Sequence, residues 1–126
     1  GCPPSLSGRI ENRISRNPHD RQKMAIVMPP AGKPAITEYT VNSPRGDASL
    51  VECRIYTGRT HQIRVHMKSL GTPIIGDPIY ARPTKQKVTA PRLMLHAWKL
   101  GFSHPVTGEK LLFENTPPPE FNPWLD

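Results

Sequence analysis

An α+β fold is expected from this sequence, with a largely antiparallel or mixed β-sheet and one principal helix packed on it. Two observations predict it. Residues 35–41 and 50–56 each alternate in character residue by residue, and the turn-forming run Ser43-Pro44-Arg45-Gly46-Asp47 separates them. From Thr60 the apolar spacing changes to a helical one, with Ile63, Met67 and Leu70 at i, i+4 and i+7. A chain of 126 residues is enough for one domain with one core. The whole of 1–126 is therefore read as a single segment.

The elements follow in order. Residues 1–30 are charged and weakly periodic, with Gly8-Arg9-Ile10 as a short strand and Arg16 to Lys23 as an exposed basic loop. Lys23-Met24-Ala25-Ile26-Val27 enters a strand. The first alternating run places Ala35, Thr37, Tyr39 and Val41 on one face; the second places Val51, Cys53 and Ile55 together. The helix spans 60–70, buries the stripe of Ile63, Met67 and Leu70 with His66 at its edge, and ends at Gly71. Arg64, Lys68 and His61 gather on a second, cationic stripe. Residues 73–91 are mostly loop. Leu93–Ser103 and Lys110–Glu114 read as two further strands joined by a turn at 104–108.

Charge narrows the partner. Seventeen Lys and Arg against ten Asp and Glu leave a formal net charge of +7, a balance that favours a polyanion, nucleic acid above all. Charge alone leaves an inert basic surface equally open. Two cysteines are too few for a disulfide framework. No apolar run approaches the ~20 residues that span a membrane, and no signal-peptide pattern opens the chain. A cytoplasmic setting without membrane attachment is expected.

Several chemistries lack their residues. His61 and His66 stand about 140° apart on a helical wheel, and neither an H-E-x-x-H run nor a zinc-spaced cysteine pair occurs, so no metal site is expected. There is no G-x-S-x-G for a nucleophilic serine and no glycine-rich phosphate loop. A basic helix edge remains. Taken by itself, Arg64 has a bland explanation, an ion pair with Glu38 or Glu52.

The motifs in order say more. Thr57-Gly58-Arg59-Thr60-His61-Gln62-Ile63-Arg64-Val65-His66 is followed by Gly76-Asp77 with Tyr80, then Leu95-His96-Ala97 and His104-Pro105. Upstream stand Gly8-Arg9-Ile10, Asp20-Arg21, Lys23-Met24-Ala25 and Gly32-Lys33-Pro34. The ordered set resembles the C-terminal part of the catalytic domain of RluA-type RNA pseudouridine synthases. That resemblance implies an isomerase acting on structured RNA, ribosomal or transfer, with no cofactor. It also implies an essential aspartate, paired with the arginine whose place Arg64 occupies, with Ile63 and Val65 packing around the site. The family's Arg-Leu-Asp motif is absent from the 126 residues, so this chain alone is expected to lack turnover. Asp77, between Gly76 and Pro78, reads as a turn former.

For RNA contact the expected residues are Arg59, His61 and Lys68 near the helix, with Arg16, Arg21 and Lys23 in the early loop. The alternative function is a non-catalytic basic RNA-binding module. An exposed sheet edge offers a route to self-association, and the oligomeric state is open.

Overall fold

The structure is a computed structural model that describes residues 2–45, 48–81, 90, 92–97, 99–103, 110–114, 119 and 121. Four strands, β1 (Ser7–Arg16), β2 (Met24–Val27), β3 (Lys33–Arg45) and β4 (Ala48–Ile55), form one sheet in the order β2-β1-β3-β4. Every ladder in it is antiparallel. Helix α1 (Gln62–Ser69) follows β4. Strands β5 (Lys99–Ser103) and β6 (Lys110–Glu114) make a separate antiparallel pair. The α+β class holds, and the hairpin expected at 35–56 is the β3–β4 pair.

Two boundaries and one burial pattern differ from expectation. Gly8-Arg9-Ile10 opens a ten-residue strand. It lies inside the sheet, pairing with β2 on one edge and β3 on the other, so its backbone is satisfied along its length despite few apolar side chains. Residues 93–97 are irregular, and the strand begins only at Lys99. Ile55 is 46% exposed, so the second face of the β4 alternation does not stay buried to the strand end. The turn expected at 104–108 lies outside the described residues.

Two glycines have steric reasons. Gly8 faces Tyr39 across the ladder, and a Cβ there would sit 2.8 Å from the buried Tyr39 ring. At Gly71 the backbone is left-handed (φ 80°), the conformation glycine adopts at low cost. It ends α1 as expected: the Gly71 amide reaches the Lys68 carbonyl at 2.9 Å, and the Thr72 amide reaches Met67 at 3.1 Å. That is the paired closure of a Schellman motif.

The apolar centre is small. Ile14, Ala35, Val65 and Tyr80 form it, with Met24 and Ile79 against its flanks. The outer face of the sheet is polar instead: Arg9 contacts Glu11 and Glu38, and Tyr56 donates to Glu38 at 2.5 Å with Arg9 and Arg54 over its ring. Among the described residues β2 and β4 are the sheet's edges. Cys53 is half-buried, and burial with the neighbouring Glu52 charge pushes its thiol up to about 11.

Candidate active site

The helix does not bury the stripe that its apolar spacing indicates. Its buried residues are Gln62, Val65, His66 and Met67, whereas Ile63 and Leu70 are half-buried. Two polar groups take the inward positions because the sheet satisfies them. Gln62 Nε2 donates to the Ile36 carbonyl (3.0 Å) and to Thr37 Oγ1 (2.9 Å). Thr37 Oγ1 lies 2.8 Å from His66 Nδ1, and His66 Nε2 lies 2.8 Å from Asn12 Oδ1. The donors run one way along this chain. With Gln62 donating to it, Thr37 gives its own proton to His66 Nδ1, and His66 donates from Nε2 to Asn12. His66 is thus a neutral Nε2–H tautomer, and its burial pushes its pKa below the ordinary histidine value.

The Gln62 carbonyl oxygen closes the network at the other end. It accepts from Thr57 Oγ1 (2.8 Å) and from the Arg59 amide (3.0 Å), while Thr57 Oγ1 accepts the Ile36 amide (2.9 Å). Three residues of the central motif, Thr57, Gln62 and His66, therefore dock the helix on β3 and β1. Such buried polar bonds are individually worth about 1 kcal/mol net, but leaving one partner orphaned costs more. Among the described residues no buried side-chain donor or acceptor lacks a partner.

The opposite side of the helix start carries the charge. Arg64 makes a forked ion pair with Asp77, Nε to Oδ2 at 2.9 Å and Nη2 to Oδ1 at 2.8 Å. The Asp77 side chain is fully buried and that of Arg64 is 13% exposed. Asp77 is the turn former that the sequence indicates, since its Oδ1 also accepts the amides of Ile79 (2.9 Å) and Tyr80 (3.1 Å). It is in addition the partner of Arg64; neither Glu38 nor Glu52 takes that place. Burial alone pushes the Asp77 carboxyl up, but the Arg64 fork, the two amides and the Arg64 charge together hold it below the ordinary value. Arg64 is correspondingly raised.

Tyr80 completes the cluster. Its ring lies 5.2 Å from the Arg64 guanidinium carbon, a cation–π arrangement. Its hydroxyl accepts the Met24 amide at 2.8 Å and stands 2.8 Å from His61 Nδ1. With the amide donating, the hydroxyl proton goes to Nδ1, which leaves His61 with its proton on Nε2. His61 is the residue before α1 and holds a left-handed backbone, φ 55° and ψ 21°, a conformation that costs a non-glycine residue about 1–2 kcal/mol. Burial, then the Arg64 charge, push its pKa down, with Asp77 opposing.

Beside this cluster runs an open groove of about 420 Å³, lined by Ile14, Ser15, Arg16, Met24, Gly32, Lys33, Gly58, Arg59 and Thr60. Arg16, Lys33 and Arg59 make it cationic. Met24, which bonds Tyr80 through its amide, joins groove and cluster.

The residues expected from sequence therefore separate. Arg16 and Arg59 line the groove, with Lys33 and Thr60 as additions. His61 and Arg64 meet at the 77–80 turn. Val65 is in the apolar centre, and Ile63 is half-buried. Arg21 and Lys23 stay in the β1–β2 loop outside the groove lining, and Lys68 is exposed in the last helical turn. Asp77 and Tyr80, thirteen and sixteen residues beyond Arg64, have no helical spacing to connect them to it. Among the described residues no group of three metal-ligating side chains occurs, and no helix is long and apolar enough to cross a membrane.

The architecture is that of pseudouridylate synthase domains. The structure of human RNA Pseudouridylate Synthase Domain Containing 1 superposes with a TM-score of 0.76 at 29% identity, over 92% of this chain and 50% of that one. Human RNA Pseudouridylate Synthase Domain Containing 4 gives 0.71 at 28%, over 95% and 55%. Residues 2–69 match the family model described as RNA pseudouridylate synthase, and the chain belongs to that family. It is 46% identical over 117 residues to Ribosomal large subunit pseudouridine synthase D of Zymomonas mobilis, covering 88% of this chain and 37% of that protein. The protein of the same name from Nitrosomonas europaea is 44% identical over 117 residues, covering 88% and 33%. The chain thus spans about a third of the length of these curated relatives.

Proposed function

We propose that this chain is the C-terminal portion of the catalytic domain of a cytoplasmic RNA pseudouridine synthase, with large-subunit ribosomal RNA as its substrate. The relatives' names favour that RNA over transfer RNA. The reaction is an isomerisation: the glycosidic C–N bond of a uridine breaks, the uracil turns, and a C–C bond forms to the same sugar. No atom is gained or lost overall. The target base must leave its stack to be reached.

The observation that carries this reading is the state of Arg64. Its ε-edge is engaged by Asp77, but Nη1 has no partner among the described residues. A partly buried guanidinium with free donors suits a second carboxylate, that of the reacting aspartate from the Arg-Leu-Asp motif that these 126 residues lack. Beside a flipped base that carboxylate would otherwise be desolvated and protonate; a neighbouring guanidinium keeps it ionised. Arg16, Lys33 and Arg59 in the groove supply cations for the flanking phosphates, with His61 as a neutral donor beside them.

The test is conversion of uridine to pseudouridine in large-subunit ribosomal RNA by the protein with its upstream stretch restored. Arg64→Ala should reduce turnover about 100-fold to 1,000-fold while RNA binding persists. Wild-type turnover in that variant would remove Arg64 from the chemistry. Binding without turnover in the unmodified, extended protein would favour the RNA-binding module instead.

A further inference from the structure

His61 stands where a helix is ordinarily capped, yet it does not cap. Its backbone is left-handed, φ 55° and ψ 21°, and its side chain makes no capping hydrogen bond to α1. An N-cap residue usually keeps an extended backbone and bonds the first turn through its side chain. The imidazole goes instead to Tyr80. The two rings meet edge to face, centroids 5.5 Å apart at 86°, with Nδ1 2.8 Å from the hydroxyl. Strain held in a non-glycine residue marks a place where the direction of its side chain matters. Tyr80 is itself fixed, since it is buried and its hydroxyl accepts the Met24 amide at 2.8 Å. The far nitrogen of His61, Nε2, has no partner among the described residues. Every buried side-chain polar atom among them is satisfied, so Nε2 reaches the surface.

We infer that Tyr80 is a positioning residue, which fixes His61 as one tautomer and in one orientation so that Nε2–H donates to a phosphate oxygen of the RNA. This rests on the proposed RNA substrate. A proton on Nδ1 would turn the Nε2 lone pair outward, and two acceptors do not bond. The charges around the ring favour an anion there. Arg64 of α1 and Arg16 of β1 are both felt at His61, while Asp77 of the 77–80 turn is already engaged by Arg64. Burial and the two cations outweigh Asp77 and hold the ring neutral. His61 therefore contributes a directed hydrogen bond and no charge of its own. Thr60, the residue before it, and Met24, whose amide Tyr80 holds, both line the cationic groove. The donor edge belongs with a groove whose Arg16, Lys33 and Arg59 suit the same RNA backbone.

Tyr80→Phe removes the hydroxyl and keeps the ring. In the extended protein, a long-range nitrogen–proton spectrum should show His61 protonated at Nε2 alone, and averaged between the two tautomers in Tyr80→Phe. Kd for a uridine-containing stem-loop of large-subunit ribosomal RNA should rise about threefold to tenfold, the cost of a side chain left to be ordered on binding. His61→Gln carries an amide nitrogen to about the place of Nε2 without needing Tyr80, so adding Tyr80→Phe to it should weaken binding no further. The Met24 amide loses its acceptor in every Tyr80→Phe protein. A loss that persists in the His61→Gln background is therefore a packing effect, and it would overturn the positioning role. Replacing single phosphates by neutral methylphosphonates should find one position at which the Tyr80→Phe penalty vanishes. A penalty that survives at every position refutes the phosphate and points to a base or ribose oxygen. A proton on Nδ1 in the wild type, or equal affinities in a protein that still forms pseudouridine, sinks the inference and leaves the function standing. A wild type that neither binds RNA nor forms pseudouridine removes the proposed function, and this role with it.

Discussion

Thr37→Val removes one hydroxyl from the centre of the polar chain that docks α1, and almost nothing else. Thr37 is fully buried on β3 and nearly isosteric with valine, which is equally at home in a strand. The hydroxyl makes two bonds, accepting from Gln62 Nε2 and donating to His66 Nδ1. Gln62 keeps its second partner, the Ile36 carbonyl, so it loses one bond worth about 1 kcal/mol. His66 Nδ1 loses its only donor and becomes a buried acceptor without a partner, which costs about 1–2 kcal/mol. The added methyl recovers about 0.8 kcal/mol by its own burial. The net destabilisation is about 1–2 kcal/mol. Urea unfolding of both proteins, at an unchanged m-value, measures it. A change below about 0.5 kcal/mol would mean that the network does not hold the helix to the sheet.

Two further outcomes follow from the same geometry. His66 is held neutral, so in acid the unfolded chain takes up its proton before the folded one does. Stability should be full above about pH 6.5 and fall as the pH drops below it. His66→Gln should flatten that part of the profile, and a profile unchanged by the substitution would show that His66 is not its source. Gly76→Ala should destabilise the protein by at least about 2 kcal/mol. Gly76 has a φ of 77°, and a Cβ there would collide with the Arg92 carbonyl. A melting temperature equal to wild type would refute the close approach.

The family motif and the hairpin were legible because both are local patterns. Alternation along 35–41 and 50–56 requires only that one face of each strand be shared, and β3 and β4 pair as that pattern indicates. The length of β1 was less legible, since its ladder partners lie elsewhere in the chain. The helix shows the limit of apolar periodicity. Its position and its end at Gly71 followed from local signals, but its buried face did not, because Gln62 and His66 go inward once Thr37, Ile36 and Asn12 are there to meet them.

The sequence by itself determined the fold class, the basic character, the order of the motifs and the place of Arg64 on a cationic helix stripe. Only tertiary structure decided what that cation touches. Asp77 and Tyr80 come to it from a loop after the helix, by chain reversal through Gly71 and not by spacing on the helix. Arg16, Lys33 and Arg59 converge on one groove although they lie in three separate stretches of chain. Hydrophobic period reports which side chains avoid water. It cannot report which polar groups find partners, because that depends on atoms brought together only by folding.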